Sequence, residues 1–140
     1  MKILIINSNY YKKISENLLK EAINVLSSNK FLVNFIDAPG VFEIPYLIRR
    51  NIKKYNGFIA LGCVIKGQTP HFDLICSSTF NAIQNLSITF NKPIGNGIIT
   101  ANNINQAKVR SGKNNGKKPN KGSEAAKAVI SVLKNDPKKI

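Results

Sequence analysis

Histidine is nearly absent from this chain: its 140 residues contain one, His71. Cysteine is almost as scarce, at two. Cys63 and Cys76 have no CxxC spacing and only that one histidine to join them, which excludes the usual zinc-site and disulfide-framework patterns. Two reduced, buried thiols are expected, and they favour the cytoplasm. No apolar run approaches the roughly 18 to 20 residues that a membrane span needs. The N-terminus, MKILIINSNYY, has a short apolar run and no small-residue cleavage site, so neither a secretory signal nor a membrane partner is expected.

Acids are the third shortage. Seven Asp and Glu stand against 21 Lys and Arg, a formal net charge of +14, and no acid lies between Asp73 and Glu124. Such a surplus attracts polyanions. The cations are mostly scattered lysines, however, without the aromatic interleaving of single-strand binders. Their company of asparagine and isoleucine points to a general compositional drift. No specific nucleic-acid partner is expected, with a basic RNA-associated protein kept as an alternative.

What the chain does have is a regular alternation over a single domain, residues 1–140. KILIIN (2–7), FLVNFID (31–37), GFIALGCVI (57–65) and PIGNGIIT (93–100) are expected strands. Between and after them the apolar residues recur at helical spacing over 13–28, 43–54, 70–89, 103–110 and 122–134. The third strand is apolar throughout, as expected for a parallel strand covered on both faces. In 70–89 the residues expected to face inward are Phe72, Ile75, Cys76, Phe80, Ile83 and Leu86. Strand and helix in alternation imply parallel β-α-β crossovers and a three-layer α/β/α sandwich on a four-stranded parallel sheet, flavodoxin-like. Ligands of such sheets collect at the carboxyl ends of the strands. Segments 8–11, 38–43, 66–71 and 101–103 lie there. RSGKNNGKKPNKG (110–122) reads as a basic connector.

The scarce histidine falls on that rim. In KGQTPHFD (66–73), Thr69 suits an N-cap and Pro70 the first helical position. Asp73 complements the helix dipole. His71 then stands on the first turn, where backbone amides offer a seat for phosphate. A neutral imidazole there can accept or relay a proton; the alternative is a surface histidine that follows a capped start. In APGVFEIP (38–45), Phe42 and Glu43 suit a flat, polar heterocycle, the ring stacking and the acid accepting hydrogen bonds. Otherwise Phe42 is core and Glu43 a partner of the helix dipole. Tyr10 is a second stacking face or a loop residue.

Together the blocks PGVFEIP (39–45), LGCVIKGQTPHFD (61–73), GNGIIT (95–100), QAKVR (106–110) and NKGSEAA (120–126) resemble lumazine synthase, an enzyme of riboflavin biosynthesis. The resemblance covers nearly the whole chain. It implies condensation of 5-amino-6-(D-ribitylamino)uracil with 3,4-dihydroxy-2-butanone 4-phosphate, releasing phosphate and water, with no cofactor and no metal. It implies that Tyr10 and Phe42 hold the pyrimidine, with Val41 and Asn96 in the same pyrimidine and ribityl group. Glu43 would bind the ribityl hydroxyls, and the backbone of Cys63, Val64 and Ile65 would read the ring edge. Gln68, Thr69, Arg110 and Lys121 would hold the butanone phosphate, and His71 would transfer protons. It also implies a functional link to riboflavin synthase and a homopentamer with active sites shared between adjacent subunits. Tyr10, Phe42, Glu43 and His71 would come from one subunit, and Asn96, Arg110 and Lys121 from the next.

Some features depart from the family pattern. The chain begins at the first sheet strand, whereas many members carry an earlier strand that pairs with a neighbour. Asn96 stands where many members have an aromatic. The loop between Arg110 and Lys121 is about three residues longer than in shell-forming members. These departures and the net charge predict a free pentamer, with paired pentamers as the runner-up. The stripe Ala125, Ala126, Val129, Ile130 and Leu133 is expected to need a neighbouring subunit to cover it.

Overall fold

Aliphatic runs rich in isoleucine form the sheet. In the computed structural model of the chain, which describes residues 1–112 and 119–140, they are β1 (Lys2–Ser8), β2 (Leu32–Ala38), β3 (Gly57–Ile65) and β4 (Ile94–Ala101). The strands pair in the order β2-β1-β3-β4, and every pairing is parallel. The helices are α1 (Lys12–Ser28), α2 (Ile44–Arg50), α3 (His71–Phe90), α4 (Ile104–Arg110) and α5 (Lys121–Leu133), with a single 3-10 turn at Val41–Glu43 before α2. Parallel neighbours cannot be joined by a hairpin, so each connection crosses a face of the sheet. The outcome is the expected flavodoxin-like α/β sandwich.

Side chains alternate along the two central strands and so build two cores. Ile3, Ile5, Ile59 and Leu61 join the cluster under α1 and α5. Leu4, Ile6, Phe58 and Ala60 join the one under α2 and α3. All are buried, and full burial of each large side chain is worth about 1.5–3 kcal/mol.

The helices depart from the sequence expectation in instructive ways. The second ends at Arg50 rather than Lys54, and residues 51–54 form turns in which the Ile48 and Arg49 carbonyls accept from the amides of Asn51 and Ile52. Ile52 is nonetheless buried, so its apolar signal reflects docking of a turn and not a helical period. On α3, only Ile83 of the six residues expected to face inward is buried; the others, Cys76 included, are half-buried. Leu74 and Ile88 of this helix are 67% and 72% exposed. The helix lies over β3 and β4, the latter an edge strand, with α2 beside it; Ile75, Phe80, Leu86 and Phe90 pack against the core, and Leu74 and Ile88 are left open among the described residues.

The α5 stripe is the reverse case and corrects the expectation that it needs a neighbour. Ala125, Ala126, Val129 and Ile130 are buried inside this chain, against α1 and β4, and Leu133 is half-buried. Small residues allow this. A Cβ on Gly95 would lie 2.5 Å from the Ala125 carbonyl oxygen, and one on Gly122 would strike the Leu18 carbonyl of α1. Apolar side chains left open include Leu74 and Ile88 on α3 and Leu32 and Phe35 on β2, with Val132 at the far end of α5 itself.

Gly122→Val should therefore lower stability by about 1–3 kcal/mol or more, the usual cost of overpacking. Gly67→Ala, with open space around its Cβ, should leave the urea midpoint unchanged. Equal midpoints for both variants would refute the close α1–α5 contact.

Candidate active site at the carboxyl rim

The rim carries two groups of the residues singled out from sequence. The first surrounds the ends of β1, β2 and β3. Here Gly62 is decisive: a Cβ at this position would lie 2.7 Å from Val41 Cγ1 and 3.0 Å from Ser8 Cβ. Its absence lets the 3-10 turn settle onto the ends of β1 and β3. Val41 is buried by that contact, and the next residue, Phe42, is turned outward at 63% exposure. Phe42 is thus not core. Glu43 follows, half-buried at the N-cap of α2, and its side chain makes no capping hydrogen bond. Tyr10 is exposed, edge-on to Tyr11 with ring centroids 5.0 Å apart.

Cys63 is buried at the end of β3, with Val64 and Ile65 half-buried beside it. Burial pushes the Cys63 thiol up to about 11. Burial likewise raises the Tyr11 hydroxyl, with Cys63 and then Tyr10 adding to the effect. Cys76 is free but half-buried, not buried as expected; its thiol is raised by burial and by Asp73. Gln68, Thr69 and His71 are all exposed. The helix begins one residue later than expected. Pro70 is the N-cap, and its carbonyl accepts from the Leu74 amide at 3.1 Å. Thr69 Oγ1 still accepts from the His71 amide, at 3.4 Å, a long bond at the turn's entry.

The second group lines a cleft of about 730 Å³ between β4, α4 and the start of α5. Asn96, Arg110 and Lys121 meet there, with Phe80 and Asn103 in the same wall. None of Tyr10, Phe42, Glu43, Gln68, Thr69 and His71 lines it. Asn96 Oδ1 accepts from the Ile98 amide at 3.0 Å. A reciprocal cap starts α4: Asn103 Oδ1 accepts from the Gln106 amide at 2.9 Å, and Gln106 Oε1 from the Asn102 amide at 2.8 Å. Asn120 starts α5 by accepting from the amides of Gly122 and Ser123, at 2.8 and 3.1 Å, and its Nδ2 donates to the Gly112 carbonyl at 3.0 Å. That cap sets Lys121 in the cleft. The expectation about loop length between Arg110 and Lys121 falls largely on residues 113–118, outside the described residues.

Sequence reasoning missed the role of Glu124. Its carboxylate pairs with Arg110 Nη2 at 3.4 Å and with Lys121 Nζ at 3.9 Å, so one acid faces both cations of the cleft. The available signal was its isolation, as the first acid after Asp73. Among the described residues no cluster of three or more His, Cys, Asp or Glu is placed to hold a metal ion, and no helix is long and apolar enough to cross a membrane.

Fold and rim together define an α/β sandwich protein with an open cleft beside the carboxyl ends of its strands. A model of the family described as 6,7-dimethyl-8-ribityllumazine synthase matches residues 1–136. The chain is 43% identical over 137 residues to the 6,7-dimethyl-8-ribityllumazine synthase of Buchnera aphidicola subsp. Baizongia pistaciae, an alignment covering 94% of this chain and 84% of that protein. It is 37% identical over 134 residues to the protein of the same name from Bartonella tribocorum, covering 94% and 87%. The chain belongs to the 6,7-dimethyl-8-ribityllumazine synthase family, transferases of riboflavin biosynthesis.

The raised thiol carries a pH consequence. Its folded value of about 11 lies above the ordinary 9.0, so its contribution is complete below pH 9 and is lost as pH rises through 11. Two units correspond to about 3 kcal/mol. Urea unfolding between pH 8 and 11 should show stability falling, and Cys63→Ala should remove about one proton from that slope. An unchanged slope would mean that the thiol ionises as readily folded as unfolded.

Proposed function

We propose that the chain condenses 5-amino-6-(D-ribitylamino)uracil with 3,4-dihydroxy-2-butanone 4-phosphate to 6,7-dimethyl-8-ribityllumazine. Beyond family membership, the observation that carries the assignment of residues is the meeting of Arg110, Lys121 and Asn96 in one rim cleft. Arg110 is the principal counter-charge for the butanone phosphate, through a bidentate pair of charge-assisted hydrogen bonds. Lys121 assists, and Glu124 holds both cations until the phosphate displaces it. Gln68 and Thr69 contribute from the entry to α3.

The pyrimidine stacks on Phe42 and Tyr10, beside Val41. Glu43 takes the ribityl hydroxyls, the backbone of Cys63, Val64 and Ile65 reads the ring edge, and Asn96 adds a polar contact. His71 moves the protons of imine formation, phosphate loss and ring closure. Aligning two reactants is worth about 7–11 kcal/mol, and one acid/base group adds roughly 10²–10⁴-fold. A single histidine therefore suffices. The product passes to riboflavin synthase, and the two free thiols fit the cytoplasm.

The two residue groups belong to different subunits of a homopentamer, each cleft being completed by the Phe42–His71 side of a neighbour. The separation of those groups on the rim and the open apolar arc of α3 support this assembly.

Mixing the protein with both substrates and following lumazine absorbance tests the activity; substrate binding without product would overturn it. Arg110→Ala should raise KM for the butanone phosphate roughly 10–100-fold, the worth of a charged hydrogen bond. His71→Ala should lower kcat roughly 10²-fold or more while leaving residual turnover. A His71 variant as fast as wild type from pH 6 to 8 would remove its proton-transfer role. Light scattering at physiological salt should give the mass of a free pentamer. A mass near sixty subunits would refute that stopping point, and an active monomer would refute the shared site.

A further inference from the structure

Cations lie at both ends of this fold, but at one end they stand largely apart from the acids. The four parallel strands begin at one end of the sheet, opposite the cleft. The segments that enter them carry Lys2, Lys30, Arg50, Lys53, Lys54 and Lys92, all exposed except the half-buried Lys92. Acids are sparse there: Asp37, Glu43, Asp73 and Glu124 stand at the carboxyl rim and Glu16 and Glu21 on α1, while Asp136 follows the end of α5. Among the described residues both ion pairs also lie at the far rim.

Neutral groups hold four of the cations at this end, Lys2, Arg49, Lys92 and Lys134. Lys2 Nζ lies 5.1 Å from the centre of the Tyr55 ring, the Arg49 guanidinium 4.7 Å from that of Phe90, and Lys134 Nζ 5.7 Å from that of Phe31. Lys92 Nζ donates to the Tyr55 carbonyl at 2.8 Å. These four are held by groups that do not neutralise their charge, and both ion pairs among the described residues lie at the other rim. Helices α1, α2, α3 and α5 end here, and each end carries about half a negative charge, which attracts the cations but does not cancel them.

We propose that this amino-end face binds the sugar–phosphate backbone of nucleic acid without selecting bases. Exposed Ser28, Asn29, Asn56 and Asn91 lie among the cations and supply the polar groups that contact phosphate and sugar. An anionic bilayer fits less well. The exposed apolar residues nearest this end, Met1, Leu32, Ile88 and Val132, sit on the chain start, an edge strand and helices of opposite layers. They form no single stripe for insertion.

The test is anisotropy of a short, labelled, mixed-sequence single-stranded RNA, titrated with the full chain over a range of salt. A triple variant, Lys30→Gln with Lys53→Gln and Lys54→Gln, should bind roughly tenfold or more weakly and flatten the log–log salt slope by about two units, at about 0.7 per phosphate contact. Single-stranded DNA of the same sequence should behave alike. Removing the same charge at the other end, by Lys12→Gln, Lys13→Gln and Lys108→Gln, should change affinity less than about twofold, and circular dichroism should show all variants folded. Equal losses in the two triples would overturn the proposal in favour of diffuse attraction to the net charge. So would capture by phosphatidylserine vesicles without RNA binding, or no RNA binding at low salt.

Discussion

Because β1 pairs in parallel with β2 on one side and β3 on the other, and β3 with β4, all four strands finish on the same rim and their connections must return across the faces. That geometry buries the central strands on both sides, which is why they carry no charge beyond the exposed Lys2 at the start of β1. It also gathers loops distant in sequence at one end. The turn after β2, the glycine-led segment after β3 and the capped start of α4 become neighbours only through this pairing. The opposite end collects whatever precedes each strand, and here that includes Lys30, Lys53, Lys54 and Lys92.

Within the rim, position rests on what glycine and asparagine permit. Gly62 makes room for Val41, and a buried Val41 sends Phe42 outward. Asn103 and Asn120 start the short helix α4 and the longer α5, and so set Arg110 and Lys121 on one cleft. The Arg110–Glu124 pair has side chains 39% and 46% exposed. An ion pair so open to water is worth about 0–1 kcal/mol. It orients Arg110 only weakly, and in the proposed function a phosphate dianion replaces the carboxylate at little cost. The proposed chemistry needs that balance, since a buried pair would resist exchange.

Much of this is legible in the sequence. Apolar runs and their breaks located every strand to within a residue or so, and alternation with helices implied the parallel sheet. The motif blocks named the rim residues. The errors lie where a period and its surroundings disagree. The apolar positions of α3 read as a core face but are half-open, and those of α5 read as a spare face but are filled by α1. Ile52 read as helix and belongs to a turn. Thr69 read as the N-cap, while Pro70 holds that place.

The sequence by itself determined the class of fold, the rim on which ligands gather and the residue types placed there, because strand and helix periods and cap chemistry are local properties of the chain. Only the tertiary structure decided which apolar stripe finds a partner, that Asn96, Arg110 and Lys121 share a cleft apart from His71 and Phe42, and that Glu124 bridges the two cations. It also decided that Lys2, Lys30, Lys53, Lys54 and Lys92, distant in sequence, share the end of the sheet with fewer acids. These depend on which surfaces meet across the sheet, and burial and charge clustering are sums over neighbours that no local window contains.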